Sequence, residues 1–132
     1  MIVLDSSAIV AIMLEEEEKE AFSKILGSNP AFVGAPTLVE TRLVVDARLP
    51  AAGDLLNKFL HDSAVTIVPF DAAMFVAAAD AFTRYGRGRH RARLNFGDCL
   101  SYAVASVMRL PLLFKGDDFV HTDIVPAYSP AP

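Results

Sequence analysis

Short runs of β-branched and apolar residues alternate with longer helical stretches along this chain, and that alternation constrains the fold more than any other feature. The sequence predicts strands at residues 2–4, 31–34, 65–68 and 111–114, with 124–125 as a short last strand if a fifth is formed. It predicts helices at about 5–14, 16–26, 36–48, 51–61, 71–85 and 95–109. Strands separated by helices need crossover connections, so we expect a central, mostly parallel sheet of four to five strands, covered on both faces in a three-layer α/β/α domain.

Length and composition favour a single domain. The chain has 132 residues, of which 53% are hydrophobic; we place the domain at 1–126 and a Pro-rich tail at 127–132. The longest apolar run, residues 8–14, has seven residues, whereas a membrane-spanning helix needs about 18. No basic segment typical of a signal peptide precedes that run. We therefore expect a cytoplasmic protein with no membrane partner.

The formal charge of −4, from twelve Lys and Arg against sixteen Asp and Glu, excludes a globally basic nucleic-acid binder. The basic residues are unevenly spread, however. Five arginines fall within residues 84–93, here called the arginine segment: Arg84, Arg87, Arg89, Arg91 and Arg93. A partner could therefore meet one face whose charge is opposite to the average of the molecule.

Two acidic residues follow predicted strands. Asp5 comes directly after the first strand, and Asp117 comes three residues after the fourth. Ligands of such sheets bind at the carboxyl ends of the strands, so both carboxylates would lie at that edge. The alternatives are that Asp5 only caps its helix and that Asp117 only forms a turn.

Glu40 lies on the apolar stripe of the third predicted helix. The stripe consists of Pro36, Glu40, Leu43, Val44 and Ala47. A helix packs such a stripe against the core, and a buried glutamate there needs a partner because an unpaired charge is costly in a low dielectric. The sequence leaves three interpretations open: the side chain reaches solvent, pairs with an arginine, or meets a cation.

Asp98 occupies the third position of the sixth helix if Asn95 is its N-cap, and capping alone could explain it. A cluster of these acids would nevertheless repel itself without a cation. Carboxylate oxygens suit Mg²⁺ or Mn²⁺, whereas zinc would require His or Cys ligands. The single cysteine, Cys99, excludes an internal disulfide and a cysteine-cluster metal site.

Four motifs, in this order, resemble the PIN domain and specifically the VapC-type ribonuclease toxins of bacterial toxin–antitoxin pairs. They are MIVLDSSA (1–8), PTLVE (36–40), LNFGDC (94–99) and LLFKGDDF (112–119) with Thr122 and Asp123 after it. The resemblance spans nearly the whole chain and ends at the Pro-rich tail. A single motif of this kind is common, but the ordered set within this length is specific.

The resemblance implies a set of site residues. Asp5, Glu40, Asp98 and Asp117 match the four acidic positions of the family's catalytic centre, with Asp5, Asp98 and Asp117 as metal ligands. Asp118 and Asp123 are alternatives for the last acid. Ser6 and Ser7 are further candidates, as donors to the Asp5 carboxylate or as polar ligands, although either could simply cap the helix.

The implied function is a Mg²⁺-dependent endoribonuclease toxin, with Mn²⁺ as a substitute, in which a metal-activated water hydrolyses RNA phosphodiester bonds. The arginine segment would bind RNA phosphates, with a solvated loop as the alternative. The implied partners are a cognate antitoxin and a second copy in a homodimer. Apolar residues of the first, second and fourth helices could hold the antitoxin, or simply form core: Ile9, Met13, Phe22, Ile25, Leu55 and Phe59.

Two other functions compete with this one. A phosphoaspartyl hydrolase would need a second aspartate two residues after Asp5, where this chain has Ser7. A non-catalytic RNA-binding or protein-interaction module on the same fold remains the main alternative. Metal-dependent stabilisation without RNA cleavage would favour it.

Overall fold

A sheet of four parallel strands forms the centre of the fold, as the alternating pattern predicts. The computed structural model describes residues 1–130. The strands are β1 (Ile2–Leu4), β2 (Ala31–Gly34), β3 (Val65–Val68) and β4 (Leu112–Leu113), arranged in the order β3-β2-β1-β4. Val3 pairs with both Phe32 of β2 and Leu112 of β4. The last residues of β1 and β4 are therefore neighbours at one edge of the sheet.

Six helices connect and flank these strands within the described residues. They are α1 (Ser6–Met13), α2 (Lys19–Ser28), α3 (Ala35–Asp46), α4 (Ala52–Asp62), α5 (Ala72–Tyr85) and α6 (Phe96–Met108). The largest departure from the predicted bounds is α2, which was expected to begin at Glu16 and begins at Lys19. Glu15 has a φ of 55°, a left-handed conformation that ends one helix and delays the next.

Alternate residues of the sheet feed two separate cores. Val3 and Leu112 pack with α5 and α6 on one face, while Ile2, Leu4 and Leu113 pack with α1, α2 and α4 on the other. Successive side chains of a strand point to opposite faces, so two apolar residues in succession serve both cores. This arrangement confirms the three-layer α/β/α prediction.

Residues 125–127 run beside β4 without forming a regular fifth strand. Leu112 donates its N–H to Val125 O and accepts from Ala127 N–H, at 2.9 and 2.8 Å, around one parallel bridge to Pro126. Proline has no N–H to extend the ladder. Tyr128 then packs edge-on against Phe22, with ring centroids 5.4 Å apart. Residues 131–132 of the predicted tail lie outside the described residues, and the boundary at 126 stays a prediction.

The prediction that the apolar stripe of α3 faces the core is wrong. The buried residues of this helix are Thr37, Thr41 and Val45, whereas Leu43 is 66% exposed. Small β-branched residues let α3 pack closely, and the Thr41 hydroxyl is satisfied by donating to Thr37 O at 2.8 Å. The larger apolar residues of α3 are consequently left on the surface.

No helix in residues 1–130 has the length and apolar character needed to cross a membrane.

Candidate active site

Asp5 lies where β1 ends and α1 begins, and the residue is only 5% exposed. Its Oδ2 accepts from the Ser7 N–H at 3.1 Å and from Ser7 Oγ at 2.6 Å, so Asp5 is the N-cap of α1. Its Oδ1 accepts a short hydrogen bond from Ser101 Oγ. Both oxygens of this buried carboxylate are thus oriented by hydroxyl donors.

Ser101 is the functional residue that the sequence interpretation missed. It is buried on α6, three residues after Asp98, and therefore shares a helix face with that acid. A serine among the apolar positions of a buried helix face was the available signal. Ser7 acts as the expected donor, whereas the Ser6 side chain makes no hydrogen bond among the described residues.

Asp98 lies in the first turn of α6, where a complete capping box holds it. Asn95 Oδ1 accepts from the Asp98 N–H at 2.9 Å, and Asp98 Oδ2 accepts from the Asn95 N–H at 3.0 Å. The capping interpretation is therefore correct, but it accounts for one oxygen only. Asp98 Oδ1 has no hydrogen-bond partner within residues 1–130, although the residue is only 8% exposed. That oxygen remains free to bind a ligand.

Glu40 reaches the same place from α3. A Cβ at Gly97 would lie 3.0 Å from Glu40 Cδ and collide with the carboxylate oxygens. Only glycine at this position lets the glutamate approach the start of α6, next to Asp98. Glu40 is half-buried at this contact, between the buried Thr37 and Thr41 and the exposed Leu43 of the same helix.

The carboxylates share one electrostatic field. The pKa of Asp98 is raised to about 7, mainly by burial; the hydrogen bond from the Asn95 N–H lowers it, and the negative charges of Asp118, Asp5 and Glu40 add to the rise. Like charges disfavour ionisation of a neighbour, so Asp118, Asp5 and Glu40 lie near enough to Asp98 to act on its charge. A cation would relieve the repulsion.

The last acid comes from residues 116–118, here called the acidic loop. Gly116, with a φ of 98°, turns the chain after β4. Burial raises the pKa of Asp118, the charges of Asp5 and Asp117 add to this, and Arg87 opposes it. Both aspartates are exposed, but Asp118 acts on the pKa of Asp98 and is acted on by Asp5, whereas Asp117 does not contribute to the shift of Asp98.

Asp123 has a different role in the structure. Its Oδ1 accepts from the hydroxyl of the buried Tyr102 at 2.6 Å, and its Oδ2 lies 3.8 Å from Arg84 Nη2. Burial and this hydrogen bond raise the pKa of Tyr102 well above its ordinary value. The structure thus separates Asp123 from the group formed by Asp5, Glu40, Asp98 and Asp118.

The donors at this site are all carboxylate or hydroxyl oxygens, which is the ligand chemistry of Mg²⁺ and Mn²⁺. As the side chains stand, residues 1–130 contain no group of three or more acids, histidines or cysteines close enough to hold an ion jointly. The free Asp98 Oδ1 and the raised Asp98 pKa nevertheless fit a divalent cation.

The arginine segment forms a closed turn beside the site. The Arg87 N–H donates to Leu94 O at 3.0 Å and the Leu94 N–H donates to Tyr85 O at 2.9 Å. Ala92 and Leu94 are buried and anchor the turn in the core. The segment therefore has a defined backbone conformation. Arg87 lowers the pKa of Asp118, so this part of the segment lies near that acid.

The five arginines are not equally available. Arg84 Nη2 donates to Tyr85 Oη at 2.8 Å and lies near Asp123, and the Arg89 guanidinium lies 5.2 Å from the ring centroid of Phe82. Arg87, Arg91 and Arg93 are exposed, with no ion pair among the described residues. The segment thus combines one anchored arginine with others that extend into solvent.

The model of the PIN domain matches residues 2–125 of this chain. Ribonuclease VapC30 of Mycobacterium tuberculosis is 43% identical over 124 residues, which cover 92% of this chain and 95% of that protein. The chain belongs to the PIN-domain family and to its VapC ribonucleases. This finding confirms the resemblance on which the ribonuclease prediction depends.

Solved structures of VapC proteins share the PIN fold. VapC20 of M. tuberculosis, described as a sarcin-ricin loop cleaving toxin, has a TM-score of 0.76 at 18% identity and covers 95% of this chain and 97% of its own. VapBC2 from Rickettsia felis, solved with a DNA fragment from its promoter, has a TM-score of 0.73 at 17% identity and covers 96% of both chains. PIN-domain VapC nucleases are generally dependent on a divalent metal, in agreement with the oxygen donors of this site.

We expect Asp98→Asn to remove a pH-dependent loss of stability. The folded-state pKa of about 7 lies above the ordinary value of 3.8, so the free energy of unfolding of the parent protein falls as the pH rises through this window. Asparagine carries no charge and keeps an oxygen for the Asn95 N–H. In EDTA at pH 8 the variant should be more stable by about 1–3 kcal/mol, and this gain should be largely absent at pH 4.

Urea unfolding followed by circular dichroism at both pH values measures this difference. Asp71→Asn is the matched control, because Asp71 also caps a helix, accepting from the Met74 N–H at 2.9 Å, but lies outside the acidic group. An Asp98→Asn effect of the same size at pH 4 and pH 8 would contradict the assignment.

Proposed function

We propose that this VapC ribonuclease is an endoribonuclease toxin that hydrolyses RNA phosphodiester bonds with Mg²⁺, or with Mn²⁺ as a substitute, and is inhibited by a cognate antitoxin. The observation that carries the proposal is the pairing of two buried carboxylates, Asp5 and Asp98, with Glu40 held against Gly97 beside them. A site of this composition is unstable without a cation and well suited to one. RNA and the antitoxin as partners would place the protein in the cytoplasm.

Each side chain has a distinct part in this proposal. Asp5 and Asp98 bind the cation, and Glu40 completes the site from α3. Ser7 and Ser101 donate to the two oxygens of Asp5 and so fix its orientation. The chemistry that a divalent cation supplies in such a site is activation of water and stabilisation of the charge that develops on the phosphate.

For the last acid we propose Asp118 in preference to Asp117. Asp118 raises the pKa of Asp98 and is itself affected by Asp5, whereas Asp117 acts only on its neighbour. The two residues are adjacent where a bend passes into a turn, so one of the two can face the centre while the other faces solvent. Asp117 would then contribute to the local negative potential without binding the cation.

The arginine segment would bind the RNA backbone. Guanidinium groups bind phosphates with two parallel hydrogen bonds, and the segment lies near the acids through Arg87. RNA would thus be held between a basic turn and the acidic centre.

The antitoxin would bind a groove of about 290 Å³ between α1 and α4. Its apolar walls include Ile12, Met13, Leu55 and Phe59. The sequence analysis named the last three of these but not Ile12. Ile9 and Phe22 are instead fully buried core residues and are unavailable to a partner. An arginine of the antitoxin that reached the carboxylates would neutralise them in place of a cation.

A second copy of the chain would cover the exposed apolar residues of α3, α5 and the start of α6. We call this surface the α3–α5 face: Val39, Leu43, Phe75, Phe82 and Phe96. Two adjoining cavities of about 430 and 680 Å³ share Phe70, Phe96 and Leu100 beneath it. A contiguous apolar patch of this kind is unusual on a monomer and typical of obligate homodimers.

We expect Asp5→Asn to lower Mg²⁺-dependent RNA cleavage by more than about 100-fold while the fold is retained, since asparagine keeps the cap of α1. Among the loop variants, Asp118→Asn should lower the rate by about 10- to 100-fold and Asp117→Asn by much less. The assay incubates structured and single-stranded RNAs with Mg²⁺, Mn²⁺ or EDTA, with Asp71→Asn as the control. Cleavage by Asp5→Asn at the parental rate would refute the mechanism. Mg²⁺-dependent stabilisation with no cleavage of any RNA would favour the non-catalytic module instead.

Replacing Arg87, Arg89 and Arg91 together by alanine should weaken RNA affinity and make it less dependent on salt. Each lost phosphate contact lowers the slope of log K against log salt by about 0.7 for a single strand. Fluorescence anisotropy with labelled RNA over a salt series, in an Asp5→Asn background to prevent cleavage, measures both quantities. Lys24, Arg48 and Lys58 replaced by alanine give the same change in charge elsewhere. Equal effects of the two triple variants would mean that the arginine segment has no specific role.

Leu43→Glu combined with Phe75→Glu should convert a dimer into a monomer, because two charges cannot be buried in an apolar interface without partners. Light scattering after size exclusion should give twice the 14.3 kDa chain mass for the parent protein and for Val125→Glu, an exposed valine outside the α3–α5 face. A parental protein that is monomeric at micromolar concentration would exclude this interface.

A further inference from the structure

Lys115, the second residue after β4, joins the start of the acidic loop to the chain between α1 and α2. Its Nζ lies 3.1 Å from Glu16 Oε1 and 3.3 Å from Glu18 Oε1. Residues 14–18, which we call the α1–α2 corner, hold both glutamates. Glu18 Oε1 is buried and makes no well-aligned hydrogen bond, so among the described residues the Lys115 charge is what compensates it.

The backbone of the same residue contacts the catalytic centre. The Lys115 N–H donates to Ser7 Oγ at 2.9 Å, and Ser7 Oγ donates to Asp5 Oδ2 at 2.6 Å. One residue further along, Gly116 turns the chain toward Asp118. Lys115 is thus connected at one end to Asp5 and at the other to the α1–α2 corner, and the acidic loop begins between these two attachments.

The two glutamates also keep the ammonium occupied. A lysine next to Asp5 and Asp118 could otherwise pair with those carboxylates and compete with a divalent cation for them. Glu16 and Glu18 together carry two negative charges against the single positive charge of Lys115. Electrostatic attraction therefore keeps the ammonium beside these two glutamates. The ion pairs therefore fix the acidic loop and also keep the Lys115 ammonium from pairing with Asp5 and Asp118.

We propose that Lys115 is a positioning residue whose ion pairs with Glu16 and Glu18, together with its N–H bond to Ser7, fix the start of the acidic loop beside Asp5, so that Asp118 can join Asp5 and Asp98 when they bind a divalent cation. This inference rests on the proposed function, since it assigns the metal site to Asp5, Asp98 and Asp118. Lys115 itself touches neither the cation nor the RNA in this proposal.

The test compares Lys115→Met with Glu16→Gln/Glu18→Gln in the full chain. Both should raise the Mn²⁺ concentration needed for half-saturation by about 3- to 10-fold, which is less than the about 10- to 100-fold typical of direct partners of a metal ligand because Lys115 acts through the loop. Electron paramagnetic resonance of free Mn²⁺ measures this without any RNA. Lys115→Arg, which keeps the charge, should restore most of the affinity. Hydrogen exchange of residues 116–119 without metal should be faster in the first two variants.

Lys19→Met is the matched control, because Lys19 makes a comparable 2.8 Å ion pair with Glu15 beside the same corner but does not reach the acidic loop. It should leave Mn²⁺ binding unchanged. Thermal unfolding checks that the variants are folded. If Lys115→Met does not fold, Glu16→Gln/Glu18→Gln still provides the test.

Three outcomes would overturn the proposal. Parental Mn²⁺ binding in both Lys115→Met and Glu16→Gln/Glu18→Gln would show that the ion pairs do not set the site. A raised KM for RNA in Lys115→Met alone, with the glutamine variant unaffected, would make Lys115 a phosphate ligand instead. A parent protein that binds no Mn²⁺ would overturn the proposed function as well, whereas the first two outcomes leave that function standing.

Discussion

Repulsion between carboxylates at one edge of the sheet is the constraint on which the rest of this structure depends. Asp5 and Asp98 are both nearly buried, and Glu40 and Asp118 add their charges to the same region. Buried like charges are costly, so the surrounding structure has to offset that cost with oriented donors. The donors are the hydroxyls of Ser7 and Ser101 and the capping box of Asn95. The glycine at position 97 contributes by leaving room for the Glu40 carboxylate. Local hydrogen bonds hold the carboxylates in place, and the remaining repulsion lowers the stability of the fold modestly. A bound cation would remove that repulsion.

The positions of Asp5 and Asp98 could be predicted because local rules determine them. A residue at the end of a β1-type strand and the third residue of a capped helix are defined by short stretches of sequence. The parallel sheet followed from the same alternation of elements, and its two cores followed from successive apolar residues in short strands. Such features depend on neighbours within one turn or one strand.

Features that depend on contacts between distant elements could not be predicted. The orientation of α3 was inverted because the sequence shows hydrophobicity but not which face other elements cover, and two threonines proved to be the buried residues. Glu40 reaches the site through Gly97, 57 positions away in the chain by the difference of their residue numbers. The choice between Asp117 and Asp118 depends on a turn at Gly116 whose direction the sequence alone does not define. Ser101 was overlooked because its partner, Asp5, lies at the other end of the chain.

The inverted helix has a consequence for how the surfaces are divided. Because α3 buries its threonines, its larger apolar residues join those of α5 in the α3–α5 face, and Glu40 lies at the border of that face. The groove proposed for the antitoxin lies between α1 and α4, on the side of the second core. The two surfaces share no lining residue, so a second copy and an antitoxin could bind to this chain at the same time.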